Sequence, residues 1–299
     1  MRGLVTGGAG FLGSHVADSL AAEHQITIID QAPTDRHPSR VLDLRATDAL
    51  VGAFEGAEFV CHLAAIGDVY LAGEQPSLAA DVNVLATARV CDAMLKAGVK
   101  RLVYTSTWEV YGEPRYQPMD ERHPCTPEHP YSITKLAGEQ IALAYQRMRS
   151  LHVSALRLGT AYGTRMRPNS VFSLFTDRAM RGEAITIQGT GQQGRQFTHA
   201  RDIGAAFAAA LRRAEPGGVY NIVGDEMISI RQLAEQIVRI IPTTIEFSPP
   251  RKAEVPSALV SNERAKKELR WAPAVSFEDG LRELVAERTG KSTLTPSTR

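Results

Sequence analysis

Cysteine is scarce and scattered. Cys61, Cys91 and Cys125 are the three in the chain, with no CxxC pair and no His/Cys cluster, so neither a disulfide framework nor a zinc site is indicated and no metal is expected. Long hydrophobic runs are missing too. No stretch of about 18 apolar residues occurs, so no membrane-spanning helix is expected, and Met1-Arg2 lead straight into GLVTGGAG without a charged-then-apolar leader. Nor is there an excess of charge of one sign: 34 Lys+Arg against 33 Asp+Glu leave a formal net charge of +1, which offers no strong field to nucleic acid, a membrane or a polyanionic partner. These absences point to a cytoplasmic protein whose ligand is a small molecule, with a phosphorylated one still open to capture by a few local arginines.

What is present is enough for a large core, since 299 residues with 43% hydrophobic content can fill one α/β domain or a domain plus a smaller lobe. The first third alternates short apolar runs with helical patterns, the rhythm of a doubly wound parallel sheet. GLVTG (3–7), QITIID (25–30), EFVCHLAA (58–65), RLVYTST (101–107) and LHVSALRLG (151–159) read as strands. Residues 11–22, 76–98 and about 130–149 read as helices, with Gly98 at the C-terminal cap of the second. Past residue 160 the rhythm loosens, and GTRMRPNS (163–170) and QGTGQQGRQ (188–196) read as loops. Two helix starts remain well signed there: Ser229 with Gln232 as a capping box ahead of a face that stops at Pro242, and Ser276 with Asp279. The expected division is a Rossmann domain over 1–160, with a returning segment near 195–215, and a mainly substrate-binding lobe over 161–299 whose last residues, TGKSTLTPSTR, are polar enough to fray.

Directly after the first strand comes TGGAGFLGS, in which Gly8, Gly10 and Gly13 satisfy G-x-G-x-x-G and Gly7 adds a flexible position. The match alone is weak. Its context is a strand, a glycine turn, a helix, a second strand and then Asp30 at that strand's end, which is the dinucleotide-binding arrangement. Glycines let backbone approach a pyrophosphate, the helix N-terminus supplies N–H groups, and a carboxylate accepts from ribose hydroxyls. Asp30 would repel a 2′-phosphate, which favours NAD over NADP.

Tyr131-Ser132-Ile133-Thr134-Lys135 sets a phenol and an ammonium one helical turn apart. An ammonium stabilises phenolate and moves tyrosine from its reference near 10 toward neutrality, so Tyr131 is suited to remove a hydroxyl proton while hydride leaves the same carbon.

TGGAGFLG, Asp30, HLAA (62–65), Asn83, STWEVYG, YSITK and GRQFTHARD (194–202) occur in an order that resembles the extended short-chain dehydrogenase/reductases, in their nucleotide-sugar epimerase/dehydratase branch that includes UDP-glucose 4-epimerase-like proteins. The resemblance covers roughly residues 3–285. It implies tightly held NAD, a nucleoside-diphosphate sugar oxidised transiently at C4, and a homodimer built on helices that include the YxxxK helix. It implies cofactor contacts at Gly7, Gly10, Phe11, Leu12, Gly13, Asp30, Asp43, Leu44, Leu63, Ala64, Ala65, Asn83 and Thr105, together with Tyr131 and Lys135, Asp43 lying beside the adenine. Thr107 matches the hydroxyl that bonds the sugar O4, Tyr131 the base and Lys135 its partner. Arg195 and Arg251 match arginines that hold the diphosphate, whereas Arg165 and Arg167 read as surface residues. Thr160 stands where many relatives have Asn, so the diphosphate contact there is altered, and Gln196 stands where an acidic residue is usual.

A further departure bears on the reaction. The 4,6-dehydratases resemble S-T-D-E at the strand end, where the Asp protonates the departing C6 hydroxyl and the Glu takes the C5 proton. Here Trp108 holds the Asp position, and an indole N–H has no proton to give near neutral pH, which disfavours ordinary 4,6-dehydration and leaves Trp108 to pack against the sugar or a lobe interface. Glu109 is kept. The expected reaction is 4-epimerisation of an NDP-hexose, a UDP-sugar being favoured, and the alternative is a decarboxylation or dehydration of the UDP-glucuronate decarboxylase kind that uses Glu109. Loss of turnover in a protein kept for NAD binding is a third reading, opposed by the intact Thr107, Tyr131 and Lys135.

Overall fold

The computed structural model describes residues 1–250 and 257–290, apart from the side chains of residues 47 and 48. Among the described residues the strands are β1 (Arg2–Thr6), β2 (Gln25–Asp30), β3 (Ser39–Val41), β4 (Phe59–His62), β5 (Arg101–Thr107), β6 (His152–Leu158), β7 (Thr160–Tyr162), β8 (Ile185–Gln188), β9 (Gly194–His199), β10 (Val219–Ile222), β11 (Met227–Ser229) and β12 (Ile245–Ser248). The helices are α1 (Phe11–Ala21), α2 (Thr47–Phe54), α3 (Val69–Glu74), α4 (Pro76–Ala80), α5 (Ala86–Lys96), α6 (Pro130–Arg149), α7 (Val171–Met180), α8 (Ala200–Arg213), α9 (Ile230–Ile240) and α10 (Phe277–Thr289).

Seven strands form one parallel sheet in the order β10-β6-β5-β4-β1-β2-β3. This is the Rossmann arrangement, and the order reverses between β1 and β4, where ligands bind beyond the carboxyl ends of the strands. The strands are apolar on both faces because helices cover both. Val5, Ile28, Cys61 and Val103 pack with α1 and α8, while Leu4, Val60, Leu102 and Tyr104 pack with α2, α5 and α6. The 76–98 helical segment arrives as α4, one wide π-turn over Asp81–Leu85, and α5. Such a turn inserts a residue into the helical ladder and rotates the next turns about the axis.

The second lobe gathers β11-β9-β7 and β12-β8 around Phe172, Phe197, Leu233 and Leu284. The loop expected over 188–196 ends early, because β9 begins at Gly194 and is held between β7 and β11. Its partners are remote in sequence, so no local pattern announced it. Both helix starts hold as read: Ser229 and Gln232 make the reciprocal capping box of α9, and Ser276 accepts from the Asp279 amide at α10. The tail beyond residue 290 lies outside the described residues. Among the described residues no helix is long and apolar enough to cross a membrane.

Candidate active site

The loops after β1, β2, β3 and β4, with the end of β5 and the first turns of α6, open onto one cleft of about 670 Å³. Its walls include Gly7, Gly10, Phe11, Leu12 and Gly13, then Asp30, Asp43 and Leu44, then Leu63, Ala64 and Ala65, and finally Thr105, Tyr131 and Lys135. Each glycine of the first turn has a separate physical task. Gly7 has φ +72, and a Cβ on it would lie 2.6 Å from the Ala64 amide nitrogen. A Cβ on Gly13 would lie 2.0 Å from the Gly7 carbonyl oxygen, so α1 can approach β1 only without a side chain there. Gly10 is different: its Cβ would meet only the Gly7 oxygen, at 3.3 Å, and otherwise project into open space. No side chain caps the N-terminus of α1, which leaves amide donors for an anion. The trio that works here is therefore Gly7, Gly10 and Gly13, with Gly8 packed against Ile28.

Asp30 braces this turn. Its Oδ2 accepts from the Ala9 amide and its Oδ1 from the Ala32 amide, both at 3.0 Å, and a carboxylate has further lone pairs for ribose hydroxyls. Asp43 is gripped by the Arg45 guanidinium, with Nε to Oδ1 at 3.0 Å and Nη2 to Oδ2 at 2.6 Å. That hydrogen bonding holds its carboxyl down at about 2. The Thr105 hydroxyl on the cleft wall is buried without a partner, a donor awaiting a bound group. Glycines that admit a pyrophosphate, a ribose acceptor and an orphaned hydroxyl together fit NAD. Asn83 does not line the cleft. From the π-turn it receives the Ile66 amide at 2.8 Å and donates to the Ile66 carbonyl at 3.2 Å and to Thr134 Oγ1 at 3.0 Å, so it ties the loop after β4 to α6.

Over the cleft stands the α6 N-terminus. Pro130 occupies its first turn, and the His129 ring accepts from the Tyr131 amide at 3.2 Å. Burial, and next the Glu109 carboxylate, push the Tyr131 phenol well above its ordinary value, opposite to the downward shift expected from Lys135, while the Thr107 hydroxyl near it pulls the other way. Burial draws the Lys135 ammonium down to about 7 against the opposing charge of Glu139, and the ammonium sits 4.5 Å over the Tyr104 ring. Thr107 ends β5 and caps the single tight turn Trp108–Tyr111, accepting from the Glu109 amide at 3.3 Å. The turn delivers Thr107 and Glu109 to Tyr131. Burial raises the Glu109 carboxyl, with Arg195 opposing.

Trp108 meets the second lobe. It packs against Tyr111, Met119, Val223, Ala258 and Val260 and closes a small cavity with Thr160, Arg195 and Gln196. Gln196 explains itself once the fold is known. Its Nε2 donates to the Gly224 and Val260 carbonyls at 2.8 and 3.0 Å, and its Oε1 accepts from the Val260 amide at 2.7 Å. An amide supplies two N–H donors beside an acceptor oxygen, which a carboxylate cannot. Arg251 lies outside the described residues.

Arg165 is half-buried rather than a surface charge. It pairs with Asp18 at 2.9 Å and bonds His15 at 2.7 Å, fastening the loop after β7 to α1. Arg167 is exposed but lines the cleft, reaching across to Asp68 and the Gly67 carbonyl at 3.3 Å. Sequence reasoning missed it as a cleft residue, since the loop that carries it has no local signal.

Residues 3–223 match the NAD dependent epimerase/dehydratase family. A putative UDP-glucose 4-epimerase of Methanocaldococcus jannaschii is 32% identical over 297 residues, covering 94% of this chain and 96% of its own. The solved UDP-glucose 4-epimerase of Thermotoga maritima, with UDP-glucose, superposes with a TM-score of 0.92 at 28% identity, covering 97% of this chain and 99% of that one. A dTDP-glucose 4,6-dehydratase of Streptomyces venezuelae, with NAD bound, gives a TM-score of 0.90 at 27% identity and covers 97% of each chain. With its Rossmann cleft, its Tyr131–Lys135 pair and these likenesses, the chain belongs to the NAD-dependent epimerase/dehydratase family, whose members act on nucleotide sugars.

Proposed function

We propose that the protein is a nucleotide-sugar 4-epimerase, with a UDP-hexose as substrate. The convergence of Thr107, Tyr131 and Lys135 above the cleft, with Trp108 turned into an apolar cluster, carries this reading. NAD, when bound, supplies the hydride acceptor and donor. Tyr131 takes the proton of the C4 hydroxyl that Thr107 orients, and Lys135 stabilises the phenolate. The 4-keto sugar then turns about its diphosphate, and Tyr131 returns the proton as C4 is reduced from its other face. The lobe built on β7, β9 and β11 offers Thr160 and Arg195 to the diphosphate side, a task suited to a guanidinium fork, and Arg251 belongs to the same proposal.

A second reading rests on Glu109. Its carboxyl is raised by burial and lies close enough to Tyr131 to raise the phenol too, so it is poised to exchange a proton one carbon further along the ring, as decarboxylation or dehydration requires. A homodimer through the helical face is also proposed. Leu85 and Ile133, on elements that pack together, are 51% and 46% exposed, and an apolar face of this kind is usually covered.

Proton NMR in deuterated water with UDP-glucose, UDP-N-acetylglucosamine, UDP-glucuronate and dTDP-glucose tests these readings. A C4 epimer without deuterium at C5 supports epimerisation, whereas deuterium at C5 or loss of the C6 carboxylate supports the Glu109 reading. Turnover that survives in Tyr131→Phe would refute both.

A further inference from the structure

One turn beyond Lys135 on α6 lies Glu139, with 0% exposure. Both its oxygens are claimed. Oε1 accepts from Arg157 Nη2 at 2.6 Å, and Oε2 accepts from Arg157 Nε at 3.1 Å and from Ser106 Oγ at 2.5 Å. Arg157, on β6, is 4% exposed, lies 4.8 Å over the Tyr111 ring, and keeps Nη1 without a partner among the described residues. Ser106 sits on β5 between Thr105, which lines the cleft, and Thr107, which meets Tyr131. A buried ion pair is a poor way to stabilise a core, because desolvation offsets the attraction. A pair locked this firmly, one turn from the reacting residues, calls for another role.

The groups around Lys135 narrow that role. His62 of β4 and the Tyr104 ring of β5 face it from the sheet, and Tyr131 and Glu139 flank it on its own helix. Glu139 is the flanking carboxylate, and Arg157 stands behind it. The field of the pair at Lys135 is therefore that of an oriented dipole with its negative end toward the ammonium, while Tyr131, two turns from Glu139, is faced by the Glu109 carboxylate and the Arg167 guanidinium.

We propose that Glu139 and Arg157 are positioning residues: their paired charges set the charge state of Lys135, while Ser106 hung from the pair holds the end of β5, and so Thr107, in place. This rests on the reading of Tyr131 and Lys135 as base and partner. Remove the carboxylate and Arg157 becomes a bare buried cation that favours proton loss from Lys135. Remove both charges and that bias vanishes.

The test uses the full chain saturated with NAD and labelled with ¹³Cε-lysine, the Lys135 signal being identified by its loss in Lys135→Met. Glu139→Gln should lower the midpoint of Lys135 ionisation, and one limb of the pH profile of turnover, by about one pH unit. Glu139→Gln combined with Arg157→Met should recover at least half of that shift. Ser106→Ala keeps both charges, so it should lower kcat severalfold with the midpoint unmoved. A folded Glu139→Gln with an unmoved midpoint would overturn the proposal, as would a double variant indistinguishable from Glu139→Gln. Should Glu139→Gln fail to fold, Arg157→Met decides instead: the carboxylate left without its partner should raise the midpoint, and a folded Arg157→Met with an unmoved midpoint would refute the proposal. A shifted midpoint in a protein that converts no nucleotide sugar would overturn the epimerase reading and leave the charge coupling standing.

Discussion

Gly10 and Gly13 lie three residues apart in one turn, yet alanine should act on them in opposite ways. At Gly10 the backbone has φ −77 and ψ 175, which any residue adopts, and the added methyl would meet only the Gly7 oxygen at 3.3 Å. A few tenths of an ångström relieve that contact, and the lost freedom of the unfolded chain offsets it, so Gly10→Ala should leave stability within about 0.5 kcal/mol of wild type. The methyl nonetheless stands where a pyrophosphate must approach the N-terminus of α1. Holding the phosphate away forfeits one or two charge-assisted hydrogen bonds of roughly 1.5–3 kcal/mol each, which corresponds to about a 10- to 100-fold or greater loss of NAD affinity. At Gly13 the methyl would sit 2.0 Å from the Gly7 oxygen and 2.7 Å from Gly7 C and Gly8 Cα. All are backbone atoms that cannot swing aside, so Gly13→Ala should cost about 3 kcal/mol or more of stability, at or beyond the upper end of ordinary overpacking. Urea unfolding of the stripped protein measures the first quantity, and calorimetric titration with NAD measures the second. Wild-type NAD affinity in Gly10→Ala, or wild-type stability in Gly13→Ala, would refute this account of the turn.

Lys135→Met should stabilise the cofactor-free protein while abolishing turnover. Burial holds the ammonium at about 7 against its ordinary 10.5, so between those values the unfolded chain binds more protons and wild-type stability rises with pH. The advantage of the variant is therefore full below about pH 7 and closes toward about pH 10.5, as paired urea curves at several pH values would record; a constant difference would contradict it. Gln196→Glu replaces a donor to two carbonyls, Gly224 and Val260, with a carboxylate facing both. A loss of roughly 2–4 kcal/mol is expected near neutral pH, partly recovered on acidification as the carboxyl gains a proton to donate, and a melting temperature equal to wild type would refute it.

The frame of the molecule was legible in the order of its residues. β2, β5 and α6 run over 25–30, 101–107 and 130–149 as their patterns required, because alternation, capping and breaker residues are local properties of a chain. The glycine turn, Asp30, Tyr131 and Lys135 were legible for the same reason: their spacing within one βαβ unit or one helical turn already sets their geometry. Contacts between residues far apart in the chain had to wait for the fold. Asn83 serves Ile66 and Thr134 rather than the cleft, Arg165 fastens α1, Arg167 crosses to Asp68, and Gln196 needs the carbonyls of Gly224 and Val260. The Glu139–Arg157 pair exists only because α6 lies on β6. Trp108 and Glu109 show the boundary most sharply: adjacent in sequence, they are sent by one tight turn in different directions, the indole into an apolar cluster and the carboxyl toward Tyr131. No pattern of residue types could assign those directions, because the turn that sets them draws its meaning from the sheet edge, the helix and the lobe that meet around it.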